Sequence, residues 1–334
     1  KKEHLLVVGT GSIAKRHVRN LKLLFPEACV CCAAPRKESL SLDNVKADRL
    51  FQEITDAVSL KPKFAIVASP APLHLNHASL LLKKDIPVLI EKPLCADFHE
   101  YTKYKSILME KISILRVGYC MRYHPLIIKT KDLIQNKTLG KLSSSLIDVG
   151  QYLPDWREGI NYKNTVSANK SLGGGVLLEL SHELDYLHWF FGEFTNVSCN
   201  ILNTGLLDID VEDSIDAILS RSDNFTVNLH LDFLQRKPTR SIKLIGEKGV
   251  LICDLLENTI TLHGPNNLKE ILFSEPSYNT NDMYLDMLKS FTGIIPEKKD
   301  EFNEFKSSVV VMGMIDSMRQ AHKMNNTVQI KSIN

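Results

Sequence analysis

Tryptophan is scarce in this chain, two in 334 residues, and no apolar run approaches the ~18 residues of a membrane span. Neither sign of charge dominates, since 41 Lys and Arg stand against 39 Asp and Glu. That balance supplies no electrostatic reason to expect nucleic acid or a membrane surface as the main partner. Internal repeats and low-complexity segments are absent, which excludes solenoid, collagen and coiled-coil architectures. A paired cysteine framework is also missing: the seven cysteines are odd in number and irregularly spaced. Cys29 and Cys32 form a C-x-x-C, but residues three apart on a strand face opposite ways, and no second pair follows. Neither zinc nor redox chemistry is expected from them, and the thiols read as reduced groups of a cytoplasmic protein. The stretch Lys1–His4 runs straight into an apolar strand, too short and too early for a signal peptide, which gives the same expectation.

What is present is an ordinary globular composition, 44% apolar and 24% charged, at a length that suits two domains with buried cores. Residues 1–120 alternate short apolar strands with helices. Leu5–Val8, Cys29–Ala34, Phe64–Ala68, Pro87–Ile90 and Ser113–Gly118 read as strands. Helices are expected over Ile13–Phe25, Leu75–Lys84 and Phe98–Lys111. This alternation predicts an α/β fold with a doubly wound parallel Rossmann sheet. Residues 121–334 change character. A helix at Pro125–Gln135 and a strand at Leu142–Val149 precede an aromatic-rich loop, and a helix opens at Gly173-Gly174-Gly175 and ends near Gly192. Strand-like stretches at Ile215–Leu219, Phe225–Leu231, Ser241–Ile245 and Val250–Leu255 follow with hairpin-length gaps, before a last helix at Phe305–Met324. The second domain is therefore expected to be α+β, with an open, mostly antiparallel sheet.

Gly9-Thr10-Gly11-Ser12-Ile13-Ala14 fits G-x-G-x-x-A between a strand and a helix. The first glycine permits a tight turn, the second lets the backbone approach a pyrophosphate, and the small third residue lets helix and strand pack closely. Unpaired N–H groups and the helix dipole then favour an anion. A structural turn is the ordinary alternative, and the βαβ context favours a dinucleotide. NAD-preferring sites place an acid at the end of the second strand. Here that region reads Ala33-Ala34-Pro35-Arg36-Lys37, and Arg36 with Lys37 could pair a 2′-phosphate. NAD or NADP is the expected cofactor, with NADP favoured.

Several motifs appear in a fixed order. Ser69-Pro70 follows one strand, with His74 four residues on; Glu91-Lys92-Pro93 follows the next. Gly118-Tyr119, Arg122-Tyr123 with Pro125, and Leu139-Gly140-Lys141 come after. The Gly173–Gly192 segment carries His182, Asp185 and Trp189. With the glycine turn, this series resembles the Gfo/Idh/MocA family, the group of glucose–fructose oxidoreductase and inositol dehydrogenase, over essentially the whole chain. The resemblance implies a Rossmann domain followed by an open-sheet domain, with Lys92 and His182 at nicotinamide and substrate and Ser69, Pro70, His74, Glu91 and Pro93 about the cofactor. Taken alone, a lysine before proline is usually solvated and a helical histidine usually structural. The chemistry supports the implied roles: hydride leaves a carbon only if its hydroxyl proton is taken, and histidine titrates near neutrality. A lysine ammonium can hold the substrate oxygen and stabilise charge growing on it. The resemblance departs from the family pattern at Glu179, three before His182 where many members carry an aspartate four before. Glu179 then orients His182 or binds substrate. On a continuous helix Glu179, His182 and Tyr186 share one face, with Asp185 offset but within reach; Glu183 is expected to point outward or be structural.

Gln151, Tyr152, Trp156, Arg157 and Tyr162 make the loop dense in aromatic and hydrogen-bonding groups, suited to a sugar ring and also to an interdomain or oligomer contact. Arg122, Tyr123, Glu179 and Asp185 are further candidates for substrate binding; Gln235, Arg236 and Arg240 line either the same cleft or an interface. The loop is similar to that of family members of bacterial surface-sugar metabolism. His182-Glu183 fails H-E-x-x-H because Tyr186 holds the fifth position, and Asp208, Asp210, Glu212 and Asp213 lack the glycine of a calcium loop. They read as a solvated turn, and no metal is implied. The expected activity is NAD(P)-dependent hydride transfer at a secondary hydroxyl or carbonyl of a sugar, polyol or derivative, by a homo-oligomer (dimer or tetramer) because an open sheet face needs covering. A non-catalytic NAD(P)-binding sensor, or a reductase of an imine or dihydrodiol, is the alternative.

Overall fold

A computed structural model describes residues 2–34, 45–295 and 304–331. The chain forms two compact units, one of Lys1–Tyr119 with Tyr284–Val309, the other of Cys120–Met283 with Val310–Asn334.

The first unit is built on six parallel strands: β1 (His4–Val8), β2 (Cys29–Ala33), β3 (Arg49–Phe51), β4 (Ala65–Val67), β5 (Val88–Glu91) and β6 (Leu115–Gly118). Their order is β3-β2-β1-β4-β5-β6. The central strands are apolar without alternation because both faces are covered: Leu5–Val8, Ala65–Val67 and Val88–Ile90 are all buried. Helix α1 (Ser12–Leu24) follows β1 and turns Ala14, His17, Val18 and Leu21 inward, a spacing of one helical face. Strand order reverses between β1 and β4, so this is the switch point where open α/β sheets leave a crevice beyond their carboxyl ends. The turns after β1, β4 and β5 all lie on that edge.

The second unit holds nine strands in the order β14-β13-β12-β11-β7-β10-β9-β8-β15. They are β7 (Leu142–Gly150), β8 (Asn196–Leu202), β9 (Ser214–Ser220), β10 (Thr226–Asp232), β11 (Thr239–Gly246), β12 (Gly249–Asp254), β13 (Thr259–His263), β14 (Lys269–Ser274) and β15 (Val328–Gln329). Only β7 and β10 pair in parallel. Alternation is strict on the central strands. Val227, Leu229 and Leu231 of β10 are buried, as are Ile215, Ala217 and Leu219 of β9. Asp216 and Ile218 face outward between them. Among the described residues no helix is long and apolar enough to cross a membrane.

The continuous helix expected from the three glycines is broken. Gly173 and Gly175 take positive φ, helix starts only at Val176, and after Glu179 the backbone leaves helical geometry at Leu180 (φ −97°, ψ 28°). A second helix then runs Ser181–Phe191. The acidic stretch expected as a solvated turn is also corrected. Asp208 and Asp210 are exposed, but Asp213 is buried and accepts from the Thr204 N–H (2.9 Å) and hydroxyl (2.8 Å). The Glu212 carbonyl and carboxylate accept from Val176 N (3.1 Å) and Leu177 N (3.3 Å), so a carboxylate caps the short helix.

Candidate active site

In the first unit the glycine turn has the expected form. Gly9 holds φ +122°, and a Cβ there would lie 2.5 Å from the Ala68 carbonyl oxygen, so only glycine lets β1 and β4 approach this closely. At Gly11, by contrast, a Cβ would meet nothing within 4 Å. That side is open; Gly11 and Ser12 are exposed and Thr10 and Ile13 half-buried, while Ala14 packs fully inside. Helix α1 has no side-chain cap and no acid in its first turn. Its leading N–H groups therefore point at an open surface carrying the positive end of the helix dipole. A pyrophosphate fits these residues. Arg36 and Lys37 lie outside the described residues.

The turns after β4 and β5 are tied together by histidines. His74, buried, places Nε2 2.6 Å from the Ser69 carbonyl and Nδ1 2.8 Å from the Pro93 carbonyl. Burial pushes its pKa down, against the two carbonyls, which favour the cation. His77 Nδ1 meets the Ser69 hydroxyl at 2.9 Å, and burial with the His74 charge lowers its pKa to about 4. His74 thus fastens the Ser69-Pro70 turn to the Lys92-Pro93 turn from below. Glu91 is buried at the end of β5. Its Oε1 meets His17 Nε2 at 2.5 Å, and its Oε2 accepts from the Lys92 N–H at 3.2 Å. His17, fully buried on α1, stands edge-on to Tyr284. The Lys92–Pro93 peptide is cis. Lys92 is half-buried on the same sheet edge as the glycine turn.

In the second unit, His182 lies in the first turn of the Ser181–Phe191 helix and is 9% exposed. The break at Leu180 removes the common helical face expected for Glu179 and His182. Glu179 is half-buried and accepts from the Ser167 hydroxyl at 2.9 Å, which ties the aromatic loop to the segment before His182. Tyr186 is fully buried. Asp185 accepts both arms of a guanidinium fork from Arg122, Nε and Nη2 each at 2.8 Å, with side chains 1% and 5% exposed. Two residues expected to bind substrate are thus bound to each other. Glu183, expected outward or structural, is fully buried against Arg240 at 2.6 Å. Burial, then the Arg122 charge, lowers the His188 pKa to about 4. The helix bearing His182 is thereby held by two ion pairs, one buried on both sides and one whose carboxylate is buried and whose guanidinium is partly exposed.

The loop residues are shallower. Trp156 donates Nε1–H to the Gln151 carbonyl at 3.0 Å and stands edge-on to Phe233. Trp156, Arg157 and Tyr162 line a small hollow with Ser167. Gln151 and Arg157 are exposed; Tyr123 and Tyr162 are half-buried. Arg236 stacks on Tyr152 at 3.5 Å, and Gln235 donates to Asp148 and Asp232. Sequence reasoning passed over His17; it placed Glu183 and Arg240 without their mutual pairing and Glu212 in a solvated turn. For His17 a signal existed, since it shares the inward face of α1 with Ala14, Val18 and Leu21.

Comparison with known proteins gives consistent results. Residues 4–119 match the model of an oxidoreductase family with an NAD-binding Rossmann fold, and residues 127–252 match the GFO/IDH/MocA C-terminal domain. An oxidoreductase of Formosa agariphila (Oxidoreductase P35) is 23% identical over 81% of this chain and 85% of its own length. Inositol 2-dehydrogenase of Rubrobacter xylanophilus is 27% identical over 56% of this chain, which spans about half (52%) of that protein. Among solved structures, levoglucosan dehydrogenase in complex with NADH superposes with a TM-score of 0.83 over 100% of both chains at 15% identity. Myo-inositol 2-dehydrogenase from Lactobacillus plantarum gives 0.79 over 99% of this chain and 100% of its own, at 17% identity. At these identities the superpositions speak for the fold.

Proposed function

This chain belongs to the GFO/IDH/MocA oxidoreductase family, and from that premise we propose that it moves a hydride between a nicotinamide dinucleotide and a secondary hydroxyl or carbonyl of a sugar, polyol or sugar derivative. The observation that carries the reading is the open, uncapped start of α1 after the Gly9 turn, on the same sheet edge as the Lys92 turn. Thr10, Gly11, Ser12 and Ile13 would hold the pyrophosphate through backbone N–H groups. When bound, the nicotinamide supplies or accepts the hydride. Lys92 would donate to the substrate oxygen and stabilise its negative charge, and His182 would take the hydroxyl proton in oxidation and return it in reduction. His17, Glu91 and His74 fix the backbone around Lys92, while the Arg122–Asp185 and Glu183–Arg240 pairs hold the helix of His182. Trp156, Arg157 and Tyr162 would meet the sugar, in keeping with levoglucosan and inositol as the substrates named for the similar proteins.

Between the two dinucleotides we favour NADP, because β2 ends at Ala33, Ala34 follows it with no acid to meet a ribose hydroxyl, and Arg36 comes next but one. We place the protein in the cytoplasm on its seven unbridged cysteines, and as a homo-oligomer on the outward Ile218 and Leu146 of the open sheet, a state that light scattering reads directly. The deciding experiment supplies sugars, polyols, sugar acids and nucleotide sugars with each dinucleotide and follows absorbance of the reduced nicotinamide. Turnover with at least one sugar-like compound is expected, and Arg36→Ala is expected to erode the preference for NADP. If calorimetry finds no affinity for either dinucleotide, the proposal fails; if both bind but nothing turns over, the chain is a sensor.

A further inference from the structure

Among the described residues, one group of three or more His, Cys, Asp and Glu side chains brings its donor atoms together: His4, Cys29 and Cys31, all within 4.8 Å of one another. The alternation that separates Cys29 from Cys32 puts Cys29 and Cys31 on one face of β2, and the parallel register sets His4 opposite Cys29 on β1. The Cys29 and Cys31 sulfurs are 3.9 Å apart, and His4 Nδ1 is 3.9 Å from the Cys31 sulfur. In a tetrahedral site with Zn–S near ~2.3 Å and Zn–N near ~2.05 Å, the S···S edge is about 3.8 Å and the S···N edge about 3.6 Å. These two separations lie within a few tenths of an ångström of those edges, and the third, between His4 and the Cys29 sulfur, is no more than 4.8 Å. The geometry points to a site for one Zn²⁺ ion, held by the thiolates of Cys29 and Cys31 and the imidazole of His4. Two thiolates and an imidazole select a borderline or soft cation over Mg²⁺ or Ca²⁺. Three protein ligands leave a fourth position for water, and half-buried His4 is the side open to it. Binding replaces two S–H protons, which leave to solvent, and involves no electron transfer.

The site lies at the amino ends of β1 and β2, whereas the glycine turn follows the carboxyl end of β1. The ion would clamp two adjacent strands at the edge away from the dinucleotide. Its role is therefore to fasten the first unit, not to take part in hydride transfer.

The test uses the full chain, reduced and stripped by chelator. Zn²⁺ is titrated against a chromophoric chelator, with Mg²⁺ in parallel. One Zn²⁺ per chain is expected, with a rise in melting temperature. The Cys31→Ser variant should bind more than about 100-fold more weakly, while Cys253→Ser should bind as the parent does. X-ray absorption of the zinc-loaded parent needs no variant and should show two sulfur neighbours and an imidazole. A stoichiometry near zero, a coordination shell without sulfur, or unchanged affinity in Cys31→Ser overturns the site.

Discussion

Replacing Arg122 with leucine separates two readings of one residue. As a substrate-binding group, its loss would raise KM and leave the fold alone. The structure instead commits its guanidinium to Asp185 through two 2.8 Å bonds, with the carboxylate side chain 1% exposed. Removing the cation leaves that carboxylate buried without its counter-charge, at a cost of about 3–5 kcal/mol. A domain of 150–250 residues shifts its melting temperature by about 2–4 °C per kcal/mol, so Arg122→Leu should melt on the order of 10 °C below the parent. Replacing both partners with leucine should recover much of the loss, because a buried pair exchanged for apolar groups of similar volume is close to neutral. Arg122→Lys should fall between, since an ammonium supplies a point charge and not a fork. The assay is thermal and urea unfolding of the parent, these three variants and Asp185→Leu, with KM measured on the same samples. If Arg122→Leu melts within about 2 °C of the parent, or the double variant loses as much as the two singles summed, the structural reading is refuted.

Three further perturbations have signs fixed by the structure. Gly11→Ala should leave the melting temperature unchanged, since its Cβ meets no protein atom within 4 Å, yet weaken dinucleotide binding; Gly9→Ala, at φ +122° and 2.5 Å from the Ala68 carbonyl, should lose both. Equal losses of binding without loss of stability in the two variants, read by calorimetry and melting, would contradict the turn geometry. Lys92→Ala should lower kcat about 10²–10⁴-fold with dinucleotide affinity within a few-fold, and turnover close to the parent would remove Lys92 from the reaction. The His230 pKa is raised to about 9, first by the hydrogen bond to Asp232 and further by Asp216. Because the folded value lies above 6.5, its stabilisation is complete below about pH 6.5 and is lost as pH rises through about 9. The side chain is 39% exposed, so solvent screening holds the effect to about 1 kcal/mol; His230→Gln should flatten this stretch of the melting profile, and an identical profile refutes the pairing.

The parts legible in the sequence are those whose cause is local. The β1 strand, glycine turn and α1 follow from an apolar run, two glycines and a 3.6-residue period within twenty residues. The strict alternation of β9 and β10 was equally plain, because one face of their sheet is buried. β14 was missed: Lys269–Ser274 is mostly exposed, so neither period is imposed on it. The break at Leu180 was hidden for another reason. The group that caps Val176 and Leu177 is Glu212, more than thirty residues on, and an acid in a run of acids reads as solvent-facing.

The same distance effect governs the candidate site. Lys92 and His182 could be picked out by motif, but what holds them could not, because the supporting contacts are long-range: His17 with Glu91 at a separation of 74 residues, Arg122 with Asp185 at 63, Arg240 with Glu183 at 57. A charged residue within hydrogen-bond reach of a site invites the reading that it touches substrate. Burial reverses that reading for Asp185, whose carboxylate is 1% exposed and taken up by the Arg122 fork, and Glu183, expected outward or structural, is likewise committed to Arg240. These residues restrict the helix of His182 to one position at the expense of being available to a ligand. We propose that the choice among sugars rests with groups that remain exposed, Gln151 and Arg157 above all; exchanging those two should change which sugar is turned over while leaving the melting temperature where it was.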